Sequence, residues 1–169
     1  MAPCAKQGWV NVDLAGHPVD LAWNLARPLP FKSSSVDAIF HEHVMEHLPL
    51  AKGFAFVQEC FRLLKLGGVL RIGVPDAGRY LQSYCEDDPS AFLEANRPGR
   101  PTRMLSIQEI FYRYQHRCMY DLETLQFVCA AAGFAMVEQR PFGESRLIPC
   151  PDSEHRRTET LYAETVKED

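Results

Sequence analysis

Apolar residues in the first half of the chain occur in short runs that predict buried strands around one helix. Trp9–Leu14 alternates apolar and polar residues, which predicts a strand, and the nearly continuous apolar runs are Val36–Phe40 and Val69–Val74. Apolar runs of this length are typical of strands that are covered on both faces. Between the last two runs, Phe54–Lys65 has apolar residues at helical spacing, which predicts an amphipathic helix. Two glycines, Gly67-Gly68, follow directly and are expected to end it.

The second half predicts one more helix and then a hairpin. Asp121 is a suitable N-cap for a helix over Leu122–Ala132, and Gly133 is expected to end that helix. Two strand candidates follow, Phe134–Arg140 and Thr160–Val166, with no helical pattern between them. Strands that alternate with helices indicate an α/β sheet with a parallel centre, and the last two strands predict an antiparallel hairpin at one edge.

Residues 77–118 interrupt this order and are predicted to be an excursion from the sheet within a single domain, 1–169. The segment is rich in proline and has few acidic residues near a cluster of arginines. These arginines are Arg97, Arg100, Arg103, Arg113 and Arg117. They form either a lid that recognises an anionic substrate, since arginine offers bidentate contacts, or a solvated loop.

Composition narrows the class of protein. Hydrophobic residues make up 46% of the chain, and the net charge is −4 with a pI near 5.9. These values are typical of a soluble globular protein and argue against general nucleic-acid binding. The sequence contains neither an apolar stretch of membrane-spanning length nor a signal-peptide pattern, so a cytoplasmic location is expected. The six cysteines form no CxxC motif and are expected to be reduced thiols.

A histidine-rich segment between the second strand and the first helix raises a metal hypothesis. Its HVMEH portion contains His43, Glu46 and His47 and formally matches the HxxEH signature, in which two histidines one helical turn apart bind zinc and the glutamate is the base. Pro49 leaves little room for that helix, and no later segment clearly supplies a third ligand. No metal is therefore expected, and a zinc hydrolase that uses these three residues stays only an alternative.

Three parts of the sequence resemble the class I S-adenosylmethionine-dependent methyltransferases, in particular small bacterial members of unassigned substrate. They are GWVNVDL, RPLPFKSSSVDAIFHEHVMEHL and FRLLKLGGVLRIGVPD. The tail, HRCMYDLETLQFVCAAAGF followed by RPFGES, is similar to the late helix and strand of the same family. The resemblance implies a Rossmann-like, mostly parallel sheet and S-adenosylmethionine as cofactor.

The resemblance also implies a set of cofactor-binding residues. Asp13 matches the acidic residue that accepts both ribose hydroxyls, and Asn24 matches the position that accepts the adenine amino group. The Leu25 backbone would meet the adenine ring, and His41 follows the strand that lines the methionine part of the pocket. Glu46-His47-Leu48 matches a recurring tripeptide that orients the next helix.

One departure from the family concerns the cofactor loop. The family opens with a strand and a GxGxG loop, whereas this sequence has no GxG pattern and only seven residues before Gly8. The first strand is therefore expected to be missing. The chain is then either truncated or a relic that no longer binds cofactor and acts as an interaction module. Exposed strand edges would favour a homo-oligomer or a partner chain.

The expected reaction is methyl transfer to an unidentified acceptor, which the arginine cluster suggests is anionic. Catalysis in this family comes mainly from proximity and alignment, so no catalytic dyad is expected. His116 and Tyr120, where the excursion rejoins the core, are the only candidates for a general base.

Overall fold

The computed structural model of the protein describes residues 8–15, 19–86, 102–112 and 114–169. In chain order, the strands and helices of these residues are β1 (Val12–Asp13), β2 (Leu21–Ala22), β3 (Val36–Glu42), α1 (Leu50–Leu63), β4 (Leu64–Pro75), α2 (Ala77–Cys85), α3 (Arg103–Tyr112), α4 (Leu122–Ala132), β5 (Val137–Gln139) and β6 (Thr160–Val166). Single 3₁₀ turns lie at Met45–His47 and Glu154–Arg156.

Strand β4 is the centre of a four-stranded sheet with the order β3-β4-β6-β5. Strand β3 pairs with β4 in parallel, whereas β6 runs antiparallel to both β4 and β5. Three of the four strands therefore point the same way. The short strands β1 and β2 pair in parallel as a separate ladder. This arrangement confirms the α/β sheet and the antiparallel hairpin, with β6 lying between β4 and β5.

Helices α1 and α4 cover one face of the sheet and form the main core with it. Apolar side chains of β4, among them Leu70, Ile72 and Val74, pack there against Phe56 and Val57 of α1. Alternate positions along a strand point to opposite faces, so the strand sends every second side chain into this core.

The boundary between α1 and β4 differs from the predicted one. The helix begins after Pro49 and ends at Leu63, and Gly67-Gly68 lie inside β4 instead of ending the helix. Residue Leu64 is already extended, fully buried and paired with Val36. Burial of that side chain and strand pairing outweigh the helical spacing of the sequence.

The predicted ends of α4 are confirmed. The Asp121 carboxylate accepts a hydrogen bond from the Thr124 N–H at 2.8 Å, as an N-cap does. Gly133 ends the helix in the left-handed conformation, with φ +109° and the Phe61 ring close to where a Cβ would lie.

The described part of the predicted excursion forms α2 and α3, which contact each other through Tyr80 and Ile110, apart from the main core. The side chain of Asp76 caps α2 by accepting from the Arg79 N–H at 3.0 Å. Among the predicted arginine cluster, Arg103 lies in α3 and Arg117 lies beyond it. The other three (Arg97, Arg100 and Arg113) lie outside the described residues.

The cysteines that the structure describes form no disulfide, as expected for reduced thiols. They are Cys60, Cys85, Cys118, Cys129 and Cys150, and Cys4 lies outside the described residues.

Helices long and apolar enough to cross a membrane are absent from the described ranges.

The other face of the sheet carries a buried ion pair. Arg71 of β4 is fully buried, and its Nη2 and Nε atoms lie 2.7 and 3.1 Å from the Asp152 carboxylate. A second carboxylate, that of Glu164 on β6, lies 3.9 Å from Arg71 Nη1. The segment between β5 and β6 thus covers this face through charge pairing as well as through packing of Phe142 against Tyr162.

We expect Arg71→Met to lower the free energy of unfolding by about 3–5 kcal/mol, because it leaves the Asp152 carboxylate buried without its counter-charge. Urea unfolding followed by circular dichroism measures this change. The control is Lys65→Met, which removes the exposed pair with Asp37 and should cost at most about 1 kcal/mol. Equal losses in the two variants would contradict a structural role for the buried pair.

Candidate functional site

The carboxyl end of β3 leads into a tight turn that collects polar side chains. His43 has a positive φ of +53°, and its Nε2 atom lies 2.8 Å from Thr160 Oγ1. The 3₁₀ turn Met45–His47 follows, and α1 begins only after Pro49. The two histidines of the HVMEH segment therefore do not lie one turn apart on an α-helix, which removes the geometry that the zinc-hydrolase alternative requires.

Glu46 is the buried group at the centre of this turn. Its side chain is fully buried, and neither carboxylate oxygen has a hydrogen-bond partner among the described residues. His43 Nδ1 and His47 Nε2 lie 3.3 and 3.9 Å from Glu46 Oε1 without hydrogen-bond alignment. Burial raises the pKa of Glu46 to about 8, because the charged form loses its hydration.

The backbone of Glu46 brings a distant segment to the same place. Its carbonyl oxygen accepts hydrogen bonds from the N–H groups of Arg117 and Cys118 at 2.6 and 3.2 Å. As a result the His116 ring meets the His47 ring edge-on, with centroids 4.8 Å apart. We call the four side chains His43, Glu46, His47 and His116 the Glu46 cluster.

The histidines of the Glu46 cluster favour their neutral forms. Burial lowers the pKa of His43 to about 3 and that of His116 to about 4, and the positive charge of Arg156 adds to both shifts. The nearby Arg156 forms its own ion pair with Glu159. The cluster therefore presents imidazole nitrogens with free lone pairs next to a buried carboxyl group.

The two candidates for a general base occupy different surroundings. His116 is half-buried in the Glu46 cluster. Tyr120 is fully buried, and a Cβ on Gly53 would lie 2.7 Å from its hydroxyl oxygen. Burial also raises the pKa of the Tyr120 hydroxyl, so this group keeps its proton at neutral pH.

The predicted adenosine-binding residues lie on and after the small ladder. Asp13 is exposed at the end of β1, and its Oδ1 atom accepts from the Leu14 N–H at 2.6 Å. The Asn24 side-chain oxygen accepts from the Ala26 N–H at 2.9 Å, as in a turn. Leu25 is half-buried and packs against the main core. Burial lowers the pKa of His47, and the Asp13 carboxylate acts in the opposite direction, so the end of β1 lies within electrostatic range of the Glu46 cluster.

His41, the remaining predicted cofactor-binding residue, lies in the core and not with the other three. Its ring is buried edge-on against Phe56 of α1, with centroids 5.2 Å apart, and neither ring nitrogen has a hydrogen-bond partner among the described residues. Burial lowers its pKa to about 3. The side chain thus points into the core between sheet and helix and not toward the strand ends.

Sequence reasoning missed the meeting of His116 with Glu46 and the parts played by Arg156 and Thr160. His116 is far from Glu46 in the chain, and no spacing pattern joins the two. The only available signal was the return of the chain to the core near Tyr120, which singled out His116 for a different role.

Comparison with known proteins agrees with this geometry. Residues 4–72 match the family described as a methyltransferase domain. Searching the curated proteins with the sequence finds no match.

Solved structures of larger proteins have a similar fold. A possible exported protein from Bordetella parapertussis superposes with a TM-score of 0.54 at 15% identity, covering 88% of this chain and 44% of that one. An O-methyltransferase family protein from Burkholderia thailandensis gives 0.51 at 14%, with 87% and 35% covered. A methyltransferase from Thermotoga maritima, described as dependent on S-adenosylmethionine and as a possible histamine N-methyltransferase, gives 0.50 at 17%, with 86% and 62% covered. This chain spans less than two thirds of each.

The match over residues 4–72 supports the resemblance to methyltransferases, and the fold is similar to that of the methyltransferase structures.

We expect the buried imidazole of His41 to make stability depend on pH. The unfolded state takes up a proton below the ordinary pKa of 6.5, whereas the folded ring stays neutral down to about 3. Because the unfolded state binds more protons, the contribution of His41 to stability falls as the pH drops through this window, by up to ~1.4 kcal/mol per pH unit.

His41→Leu should therefore gain stability relative to the parent as the pH is lowered from 6.5 toward 4, measured by urea unfolding at a series of pH values. The control is the exposed His155, whose change to Gln should leave the parent's pH dependence in place. Parallel stability curves for His41→Leu and the parent would contradict the buried neutral ring.

Proposed function

We propose that the protein transfers a methyl group from S-adenosylmethionine to an acceptor. The family match over residues 4–72 and the methyltransferase fold support this proposal. The observation that carries it is the exposed Asp13 carboxylate at the end of β1, which is close enough to His47 to act on it electrostatically. Ligands of open α/β sheets bind at such strand ends.

The residues present fit the adenosine part of the cofactor. Asp13 uses one oxygen for the Leu14 N–H, and its carboxylate keeps further acceptor sites for ribose hydroxyls. The Asn24 oxygen has one hydrogen bond, to the Ala26 N–H, and retains a second lone pair for an amino donor. His41 does not fit, because its ring is enclosed against α1. When bound, the cofactor supplies an electrophilic methyl group on its sulfonium.

The proposal also includes an anionic methyl acceptor and self-association of the protein. An anionic acceptor rests on Arg103 and Arg117, the described members of the arginine cluster. Self-association rests on the outer edge of β3, which pairs with no strand among the described residues, since such an edge can pair with a strand of another chain. Light scattering of the purified protein across a concentration series tests the second property, and a monomer throughout would contradict it.

We expect Asp13→Ala to weaken the binding of S-adenosylhomocysteine by at least about tenfold, because a hydrogen bond to a charged group contributes ~1.5–3 kcal/mol. Isothermal titration calorimetry of the parent and the variant measures the change. The control is Asp37→Ala, since this carboxylate pairs with Lys65 at the start of the sheet and should leave binding unchanged.

A folded parent that gives no binding heat would contradict the proposal and favour the alternative, a methyltransferase fold that acts as an interaction module. Equal binding by Asp13→Ala and the parent would retain cofactor binding but remove Asp13 from the site.

A further inference from the structure

The Glu46 cluster brings three metal-ligating side chains together from two distant parts of the chain. One ligand atom each from Glu46, His47 and His116 lies within 4.8 Å of the others. Ligands that bind one ion at about 2.0–2.2 Å are roughly 3–3.5 Å apart. The atoms must therefore approach by about an ångström, and His47 can move because 45% of its side chain is exposed.

The buried carboxylate of Glu46 supplies a second, independent observation. The side chain is completely buried, yet neither oxygen has a hydrogen-bond partner among the described residues. The buried His116 Nδ1 atom is also without a partner there. Buried polar atoms are nearly always satisfied, so unpartnered ones on two residues of one cluster point to a bound group.

We propose that Glu46, His47 and His116 bind a divalent transition-metal ion. A carboxylate with two imidazoles favours zinc, iron, cobalt or manganese over magnesium and calcium, which prefer oxygen ligands alone. Three protein ligands leave at least one coordination position for water or for an oxygen of an acceptor. This site shares no residue with the proposed cofactor site, so it stands whether or not the cofactor binds.

His43 has a supporting position in this site. Its Nδ1 atom lies 3.3 Å from Glu46 Oε1, and its Nε2 atom lies 2.8 Å from Thr160 Oγ1. Its hydrogen bond with Thr160 holds the ring beside the Glu46 carboxylate, where it would orient that ligand, as outer partners of metal ligands commonly do. We therefore treat His43 as a positioning residue. The role of Glu46 as a ligand also distinguishes this site from the zinc-hydrolase motif, in which the glutamate is the base.

One charge opposes cation binding. Arg156 acts electrostatically on Glu46, His47 and His116. Its guanidinium is paired with the Glu159 carboxylate, which offsets part of its effect. Glu46 would balance part of the charge of an ion only after giving up its proton, because burial raises its pKa.

Cobalt titration of the chelator-treated full chain tests the site. We expect one Co²⁺ per chain with micromolar or tighter affinity and a visible d–d spectrum of nitrogen and oxygen ligands, with Zn²⁺ displacing the cobalt. The variants Glu46→Gln and His116→Gln should each weaken binding by at least ~10–100-fold, the loss typical even for outer partners of a metal ligand. His47→Gln should do the same, and its exposure makes it the change least able to disturb the core.

The matched control is His155→Gln, which removes an exposed histidine outside the ligand set and should bind Co²⁺ as the parent does. Circular dichroism of each metal-free variant establishes that it folds. Four results would overturn the inference: no stoichiometric uptake by the folded parent, an equal loss in His155→Gln, unchanged affinity in a folded His47→Gln, or a thiolate-to-cobalt charge-transfer band. None of these measurements depends on methyl transfer, so failure of the metal site and failure of the proposed methyl transfer would give different results.

Discussion

The parallel pairing of β3 with β4 is the interaction on which the arrangement of polar groups depends. It places the carboxyl ends of both strands at one edge of the sheet, where the His43 N–H donates to the Gly73 carbonyl at 2.9 Å. Beyond β4, Asp76 forms a parallel bridge with Tyr120. This bridge extends the same edge and returns the chain toward Glu46 after the excursion. The Glu46 cluster is therefore a consequence of strand direction.

The two faces of the sheet are stabilised by different forces. The face under α1 and α4 is apolar, and its stability comes from removing hydrocarbon from water. The opposite face carries Arg71, Glu164 and the Tyr162 hydroxyl, which donates to Glu42 at 2.6 Å. A buried ion pair requires a partner at a defined position, so the irregular segment before β6 is held in one place although it forms no layer of helices.

Exposure separates the two kinds of site proposed for this protein. Asp13 is open to solvent at the end of a two-residue strand, which suits a carboxylate that exchanges ligands. Glu46 is enclosed, so each charge near it acts more strongly than it would in water. The proposed cofactor site is therefore exposed, whereas the proposed ion site is enclosed. The proposed cofactor site and the proposed metal site share no residue.

Local pattern was enough to predict the elements of the sheet, the Asp121 cap and the Gly133 end of α4, because these depend on neighbours in the chain. It was not enough to place the end of α1, since the burial of Leu64 is decided by β3. Only the tertiary structure directed His41 toward Phe56 and brought His116 to Glu46. Side-chain direction in a strand and contacts between distant segments depend on how the sheet pairs and packs, which residue spacing does not encode.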